Sequence, residues 1–561
     1  MAAVLLFALR SSSPFGGTRY DTEELADSIA AVLQRKEPPR SITAKEWTRV
    51  RRMYETRANR PIWVERNGRF GAQAADLVSA IRQSDRQGLR VADYPAVELE
   101  KAIDEADSLR TLESVARAEV LLSATYVDLA SDLLTGRLDP RRVTTSWHID
   151  QKAFDIDSAV VASLGDGRDV SRALATMRPA EAGYETLVDE LRRYRQLEDS
   201  GGWRKLPESP KLRPGVVHSA VAALRQRLAI EGYAASSDAE RPEAYDRALA
   251  AAVAQFQLRH GLPVDSAVGP ATRAALDVSA GRRADQIAAN LERMRWLPPV
   301  LPGRRIVVNI PDYHLEAFDG GRKVLDMRVV VGDELEGRKT PIFADSMQFV
   351  EFGPYWNVPE KIAIEEILPL AQENPGYLEA NDYEVVAGKG EDATVVQGAF
   401  SVEDIAAGRY RIRQRPGPKN ALGHVKFLFP NEFAVYLHDT PARGLFANNQ
   451  RAASHGCVRV ADPAALARFV LQDQPEWTPE RIDAALAAVE RERVTLQRSI
   501  PVYLIYLTAF VRDGALHFRD DIYESDATLV RLVDEDVPNV AARDSVAREA
   551  ATRLAQRLAK D

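Results

Sequence analysis

The single cysteine of this 561-residue chain lies in the run Ser454-His455-Gly456-Cys457-Val458-Arg459-Val460. A cysteine attacks as a thiolate and needs a base within reach, and we expect the upstream imidazole of His438 both to lower the pKa of the thiol and to serve as that base. Gly456 allows a tight backbone turn before the nucleophile, so that its N–H and that of Cys457 are candidate donors to an oxyanion. The polar flanks of the run argue against a buried, inert cysteine. The residues therefore predict a covalent acyl-transfer site built on Cys457 and His438.

Composition excludes several classes of protein. The chain is too long for one hydrophobic core, so we expect roughly three or four domains. Its formal net charge of −8 argues against nucleic-acid binding, which depends on neutralising phosphates. No segment has the roughly 20 uninterrupted apolar residues of a membrane helix. The apolar stretch 2–9 is either part of an export signal or a frayed terminus, which leaves a membrane anchor open.

The first half of the chain has helical periodicity. Apolar residues recur at helical spacing, as in Leu25, Ile29 and Leu33, and predict a helical domain over residues 18–200. Glycines and prolines in 198–214 are typical of a linker. Residues 213–279 then predict a three-helix module, and 280–299 a connecting helix that ends at consecutive prolines.

After residue 299 the apolar period changes from helical to two. Runs of β-forming residues predict a β-rich domain over 300–510, with a hairpin turn at Asp319-Gly320-Gly321. The predicted strands include 306–310, 314–318, 327–331, 349–358, 427–429 and 433–437. Residues 359–423 form an insertion, which is either a lid over a pocket or a surface addition. A C-terminal segment, 511–561, completes the chain.

Two parts of the chain resemble known families. The runs 252–257 and 268–272 resemble the peptidoglycan-binding domain type of wall enzymes, although Asp265-Ser266-Ala267 stands where that type has an Asp-Gly turn. A helical bundle without a ligand is the alternative there. The run 454–460, with His438, resembles the signature of the L,D-transpeptidases with the YkuD-type catalytic domain, and the runs 354–359, 436–441 and 521–523 look like its large YcbB-type branch.

The resemblance implies a fold and a set of roles. The fold is α+β and multidomain: a helical scaffold domain, a small three-helix peptidoglycan-binding module and a β-rich YkuD-like catalytic domain with a capping insertion. Cys457 would be the nucleophile and His438 its general base and acid. Backbone amides at Gly456 and Cys457 would hold the oxyanion, and His455 would line the pocket. The backbone carbonyl of Asp439 would orient the imidazole, whatever its side chain does.

Three further residues, and the side chain of Asp439, are candidates for substrate binding. Arg459 can pair bidentately with a carboxylate of a stem peptide, or it forms an internal salt bridge that shapes the nucleophile loop. Tyr436 and Trp356 can wall the pocket, although aromatic residues in a β-rich domain often belong to the core. The sequence leaves both alternatives open.

The resemblance also implies an activity and its partners. The donor would be a tetrapeptide stem of peptidoglycan, whose acyl group passes through a cysteine thioester to the diamino-acid amine of a second stem, with release of D-alanine. Carbapenems would inhibit it, no cofactor or metal would be needed, and the site of action would be the periplasm or cell envelope. An L,D-carboxypeptidase, in which water takes the acyl group, uses the same residues. A non-catalytic wall-binding scaffold, with a metal or nothing at Cys457, His438 and His455, is a third reading.

Overall fold

A computed structural model of the chain describes residues 20–35, 42–65, 68–150, 156–163, 169–233, 241–388, 393–396 and 400–534. The apolar stretch 2–9 and the end of the predicted C-terminal segment lie outside these ranges. None of the helices in the described ranges combines the length and apolar character needed to cross a bilayer.

The first part of the chain is helical, as its apolar spacing predicts. The helices are α1 (Thr22–Leu33), α2 (Ala44–Glu55), α3 (Ala72–Arg82), α4 (Ala96–Leu109), α5 (Leu112–Thr135), α6 (Pro140–Val143), α7 (Ile156–Ser163), α8 (Val170–Ala175) and α9 (Gly183–Asp199). Capping boxes on Thr43 and Thr111 start α2 and α5, since each side chain accepts the N–H three residues on. The α5 helix is buried along most of its length and forms the centre of this domain's core.

A small module and a long helix follow. The module consists of α10 (Ser219–Ile230), α11 (Arg247–Arg259) and α12 (Pro270–Leu276), which share a separate core that includes Leu224, Val253 and Phe256. Helix α13 (Ala280–Arg295) begins at the N-cap Ser279 and packs against α9 of the helical domain. A single hydrophobic core contains residues of α13 and of the strands that follow it. Helix α13 therefore joins the helical domain to the β-rich domain.

The β-rich domain is a nine-stranded mixed sheet that closes on itself. Its strands are β1 (Arg305–Asn309), β2 (His314–Asp319), β3 (Arg322–Gly332), β4 (Phe343–Phe352), β9 (Val425–Leu428), β10 (Leu437–His438), β11 (Ala452–Ser454), β12 (Val458–Val460) and β13 (Glu492–Ile505). The order is β11-β3-β12-β10-β9-β4-β13-β1-β2, and a further pairing of β2 with β3 closes it. Gly320 and Gly321 have positive φ, as the predicted hairpin turn requires.

An insertion between β4 and β9 carries its own small sheet and core. It contains β5 (Trp356–Asn357), α14 (Glu360–Ile362), a π-helical turn (Ala363–Ile367), α15 (Leu368–Glu373), α16 (Tyr377–Ala380), β6 (Tyr383–Ala387), β7 (Thr394–Val395), α17 (Val402–Ala406) and β8 (Tyr410–Gln414). Its strands run in the order β5-β8-β6-β7. Because β5 belongs to this sheet, the insertion's own structure begins before the predicted residue 359.

The remaining elements pack around the sheet. They are α18 (Pro463–Leu471), α19 (Pro479–Ala487), the hairpin β14 (Ala509–Arg512) and β15 (Ala515–Phe518), and α20 (Asp526–Asp534). The predicted boundary between 510 and 511 falls inside β14. The hairpin contacts α9, α11 and α13, so the chain beyond 510 connects the β-rich domain to the module and the helical domain.

The strand predicted over 433–437 is wrong for most of its length. Of these residues only Leu437 lies in a strand, as the first residue of β10, and Ala434 has a positive φ of 53°. The side chain of Asn431 hydrogen-bonds to the local backbone instead. Its amide nitrogen donates to the carbonyls of Phe429 and Val435, at 2.6 and 2.7 Å. These side-chain bonds replace the ladder bonds that a longer strand would make. The predicted run 349–358 is likewise interrupted, since β4 ends at Phe352.

The predicted α+β multidomain architecture is confirmed. It has a helical part, a three-helix module and a β-rich part with an insertion.

Candidate active site

Two short parallel strands bring the predicted catalytic residues together. Strands β10 and β12 pair in parallel, with Leu437 opposite Val458 and His438 opposite Arg459. Leu437 and Val458 are fully buried in the sheet core. Since side chains alternate along a strand, His438 and Arg459 lie on the other face, together with the residue that precedes each buried one, Tyr436 and Cys457.

Cys457 is half-buried and carries a protonated thiol at neutral pH. Burial raises the pKa of the thiol above its ordinary value. Hydrogen bonds from the backbone N–H and hydroxyl of Tyr436 to the sulfur oppose this rise, as do the charges of Arg459 and Lys426. The thiol itself lies 3.7 Å from the carbonyl oxygen of Ala434, to which it can donate. We expected a neighbouring imidazole to lower this pKa, and burial raises it instead.

His438 is a neutral imidazole whose basic nitrogen is Nε2. Its side chain is buried, and Nδ1 lies 2.5 Å from the carbonyl oxygen of Asp439. A carbonyl only accepts, so Nδ1 carries the proton and Nε2 is the basic atom. Burial, then the charge of Arg459 and more weakly that of Lys426, lower the pKa of His438 to about 3. The bond to Asp439 acts in the opposite direction.

Asp439 contacts His438 through its backbone alone. Its carboxylate is buried and accepts from the His424 N–H at 2.9 Å and from Arg443 at 3.1 Å. The same carboxylate leaves no room for a side chain at Gly423, where a Cβ would lie 2.3 Å from Oδ2. The side chain of Asp439 thus shapes the loop before β9, and its carbonyl orients the imidazole.

The loop before Cys457 is held by internal hydrogen bonds. The Ser454 hydroxyl donates to the Cys457 carbonyl at 2.6 Å and accepts the Gly456 N–H at 3.2 Å. Gly456 has a φ of 113°, which favours glycine. Among the described residues the Cys457 N–H donates to no partner. Of the two amides that we expected to face an oxyanion, only the Cys457 amide is free in this conformation.

The side chain of His455 hydrogen-bonds to the insertion. Its Nε2 lies 2.7 Å from a carboxylate oxygen of Glu366, in the π-helical turn Ala363–Ile367. The same carboxylate accepts from Arg338 at 3.3 Å. Both His455 and Glu366 are partly exposed, and this contact joins the nucleophile loop to the insertion.

Arg459 is a half-buried cation that has no hydrogen-bond or ion-pair partner among the described residues. Its guanidinium makes no hydrogen bond or ion pair within the part of the chain that the structure describes, and its Nε is buried. The internal salt bridge considered from the sequence is therefore not present among these residues. A free guanidinium on the same face as Cys457 is suited to an anionic group of a substrate.

Trp356 belongs to the insertion. It pairs with Gln414 in the small sheet, its ring lies 6.3 Å from that of Tyr383, and it packs against the insertion's own core. Tyr436, by contrast, contacts the site directly, since its ring lies 5.7 Å from that of His438 and its hydroxyl bonds to Cys457. Only the second of these two aromatic candidates contacts the central residues.

Sequence reasoning missed four residues that contact this site or its loop: Lys426, Thr340, Tyr523 and Glu366. Lys426 on β9 stands opposite His438, and its charge reaches both His438 and Cys457. Thr340 donates to the Gly456 carbonyl at 2.8 Å. Register on β9 is the only signal that could have indicated Lys426. Tyr523 lies in the run 521–523, whose resemblance to the family does not indicate this contact, and Thr340 and Glu366 have no local signal. Among the described side chains, no group of three or more His, Cys, Asp or Glu residues is arranged to hold a metal ion.

Three family models match the chain. Residues 303–482 match the "L,D-transpeptidase catalytic domain", residues 217–276 the "Putative peptidoglycan binding domain" and residues 48–191 the "Scaffold domain". A Haemophilus influenzae protein described as "Putative L,D-transpeptidase" is 36% identical over 242 residues, which are 43% of this chain and 48% of that protein. The chain thus spans about half the length of this curated relative.

Solved structures of similar proteins are more distant in sequence. An L,D-transpeptidase from Xylanimonas cellulosilytica is 17% identical, with 53% of this chain and 99% of that chain covered and a TM-score of 0.16. One from Stackebrandtia nassauensis is 14% identical, with 56% and 98% covered and a TM-score of 0.22.

The matched ranges coincide with the three parts of the fold. Cys457 and His438 both lie inside the range that matches the catalytic domain. Helices α10, α11 and α12 all lie inside the range that matches the peptidoglycan-binding domain. The chain therefore combines a YkuD-type L,D-transpeptidase catalytic domain with a peptidoglycan-binding domain and a helical scaffold domain.

Proposed function

We propose that this protein is a peptidoglycan L,D-transpeptidase of the YcbB-type branch that links the third residues of two stem peptides through an acyl-enzyme on Cys457. One observation carries the proposal: within a domain that matches this family, Cys457 and a neutral His438 lie on the same face of two paired strands. The matched peptidoglycan-binding domain supports a wall substrate and a place in the cell envelope, which we assign to the periplasm.

The acylation step begins from a neutral pair. Nε2 of His438 takes the thiol proton as the sulfur attacks the carbonyl carbon of the stem's third residue. The carbonyl oxygen becomes an oxyanion, with the Cys457 N–H and the Tyr436 hydroxyl as the nearest candidate donors. When the intermediate collapses, the imidazolium returns its proton to the leaving amine. The products are a thioester on Cys457 and free D-alanine.

The transfer step reverses these roles. The side-chain amine of a second stem attacks the thioester carbon, and His438 removes a proton from the attacking nitrogen. Collapse of the second intermediate expels the Cys457 sulfur, which recovers the proton from the imidazolium. One amide is broken and one is formed, so the reaction requires no external energy source.

Arg459 is the proposed reader of a stem carboxylate. It stands on the active face, opposite His438, and its guanidinium has no acceptor among the described residues. A guanidinium and a carboxylate pair through two parallel hydrogen bonds, which fixes the orientation of the bound peptide as well as its affinity. Trp356 and the rest of the insertion are proposed to border the bound stem from the side of Glu366 and His455.

Product analysis tests transfer against hydrolysis. The protein is incubated with purified disaccharide-tetrapeptides in ¹⁸O-labelled water, and the products are analysed by mass spectrometry. We expect cross-linked dimers that have lost one D-alanine per link and carry no ¹⁸O in the new bond. Tripeptide monomers with one ¹⁸O, and no dimers, would instead identify an L,D-carboxypeptidase. Cys457→Ala is the control and should give neither product.

A further inference from the structure

The orientation of the Cys457 amide is fixed through the carbonyl of the preceding residue. The Thr340 hydroxyl donates to the Gly456 carbonyl at 2.8 Å. The peptide bond between Gly456 and Cys457 is planar and trans, so its C=O and N–H point in opposite directions. A hydrogen bond that fixes the carbonyl on one side therefore aims the Cys457 N–H toward the other side.

Thr340 is itself held in one position by a closed set of hydrogen bonds. Its side chain is fully buried, and its hydroxyl accepts the Gly332 N–H at 2.8 Å while it donates to Gly456. Its backbone N–H donates to the Tyr523 hydroxyl at 3.0 Å, and that hydroxyl donates to the Gly332 carbonyl at 2.8 Å. The Thr340 hydroxyl has one proton to donate, and these contacts commit it to Gly456.

Tyr523 comes from outside the range that matches the catalytic domain. It follows the β14–β15 hairpin, beyond residue 482. Its backbone N–H donates to the Tyr506 hydroxyl at 2.8 Å, the two rings stack with centroids 5.5 Å apart, and Tyr506 donates in turn to Asp521 at 2.6 Å. The segment after the matched domain therefore contacts Thr340 through one phenolic hydroxyl, and Thr340 in turn bonds to the nucleophile loop.

From these contacts we infer that Thr340, held in place by Tyr523, is a positioning residue that aims the Cys457 N–H at the oxyanion formed during acylation. The Gly456 N–H is bonded to Ser454, so of the two amides expected to face the oxyanion only that of Cys457 has no acceptor among the described residues. The inference rests on the proposed function, because it requires an acylation reaction at Cys457. It assigns a role to a residue on the loop between β3 and β4 and to one in the C-terminal segment.

Two reactions of the same sulfur separate this role from a merely structural one. Acylation by a carbapenem converts a carbonyl oxygen into an oxyanion and so depends on the donor. Alkylation by iodoacetamide displaces iodide at a saturated carbon, forms no oxyanion and depends only on the thiol and its base. Both rates are measured for Cys457 by intact-protein mass spectrometry, as a function of pH, in the full-length protein.

Thr340→Val removes the hydroxyl while it keeps the shape of the side chain, and Thr340→Ser restores the hydroxyl. We expect Thr340→Val to slow acylation about 10- to 100-fold, because a misaimed amide loses much of the effect of an oxyanion donor. The rate and pH profile of alkylation should not change. Thr340→Ser should recover acylation. If Thr340→Val does not fold, as judged by circular dichroism, Tyr523→Phe carries the same comparison, with an expected loss of about tenfold.

The opposite results would overturn the inference. Acylation of the variant at the wild-type rate, or an equal loss of acylation and alkylation, would mean that Thr340 only stabilises the loop. Failure of the wild-type protein to be acylated, while it is alkylated normally, would refute the proposed function and with it this role. The two failures are therefore distinguishable in one experiment.

Discussion

His438 and Arg459 stand directly opposite each other on the paired strands β10 and β12. The guanidinium adds to burial in keeping the imidazole uncharged, and among the described residues it has no acceptor of its own. One side chain therefore serves two purposes in the proposed site. It keeps His438 available as a base, and it offers a positive charge to an anionic substrate.

Replacing Arg459 should weaken the recognition of a carboxylate. We expect Arg459→Gln to lower kcat/KM for a tetrapeptide donor by about 10- to 100-fold, since hydrogen bonds to charged groups contribute about 1.5–3 kcal/mol. Arg459→Lys, which keeps the charge without the planar fork, should lose less. Steady-state kinetics with the natural donor and with a donor amidated at its carboxylates checks this. A factor that is the same for both donors would contradict carboxylate recognition, because the loss must disappear when the carboxylate is absent.

The pH dependence of acylation should reflect a base that is already neutral. Because the pKa of His438 is lowered to about 3, the imidazole of the wild-type protein is deprotonated throughout the neutral range. We expect the rate of acylation of Cys457 by a carbapenem to be nearly constant from about pH 5 to 8. A steep rise between pH 6 and 7 would instead indicate a base with an ordinary histidine pKa.

Removal of the base should replace the flat pH profile of acylation with one that rises with pH. In His438→Ala the sulfur must ionise unaided, and burial raises the pKa of the thiol above its ordinary value. We expect acylation to fall about 10²- to 10⁴-fold at neutral pH and to rise with pH beyond 9. Mass spectrometry of the adduct in samples quenched at successive times measures both the loss of rate and its dependence on pH. A variant that retains the flat wild-type profile would show that another group removes the proton.

Local patterns account for most of what the sequence predicted. The candidate nucleophile and its flanking residues are consecutive in the run 454–460, and the helical and β-rich parts differ in the spacing of their apolar residues. The nucleophile loop and the division into helical and β-rich parts could therefore be predicted from the sequence. The register of β10 and β12 then converts that spacing into a shared face. The sequence does not show that the pair is buried, which is why a lowered pKa was expected for the Cys457 thiol and a raised one is found.

The residues that the sequence did not indicate act over long separations. Thr340, Tyr523 and Glu366 reach the nucleophile loop only after the sheet closes and the insertion folds against it. Nothing in the spacing of a single sequence encodes such contacts. The loop after β9 shows the converse, since its β-forming residues suggested a strand and the side chain of Asn431 bound the backbone instead.

The contact between His455 and Glu366 should hold the insertion against the nucleophile loop. We expect Glu366→Ala to increase hydrogen–deuterium exchange in residues 360–373, because the variant loses the bonds to both His455 and Arg338. Glu366→Gln keeps an acceptor oxygen and should show a smaller increase. Exchange is measured by mass spectrometry on the full-length protein, with α5 as the internal reference. Unchanged exchange in 360–373 of the alanine variant would show that the insertion is held elsewhere.

Glu119 should make the stability of the helical domain depend on pH. Its carboxyl is fully buried, and burial raises its pKa from 4.5 to about 7, although it accepts from the N–H groups of Ile62 and Trp63. A raised pKa means that the folded state prefers the protonated acid. Its contribution, on the order of 3 kcal/mol, is present below pH 4.5 and is lost as the pH rises through 7.

Glu119→Gln keeps an acceptor for the same amides and removes the titration. We expect the difference in opening free energy between wild type and variant to change with pH over that interval. Native-state exchange of the Trp63 amide provides the measurement, since this N–H binds the carboxylate at 3.1 Å. Parallel pH profiles for the two proteins would contradict the assignment.

The mass of the adduct on Cys457 shows whether this sulfur carries the stem peptide during turnover. The protein is mixed with purified tetrapeptide stems, quenched in acid within seconds and digested, and the peptide that contains Cys457 is weighed. We expect an acid-stable thioester whose added mass equals that of the stem without its terminal D-alanine, present in wild type and missing from Cys457→Ala. Turnover of the stems with Cys457 unmodified at every time point, or with Cys457→Ala still active, would contradict it.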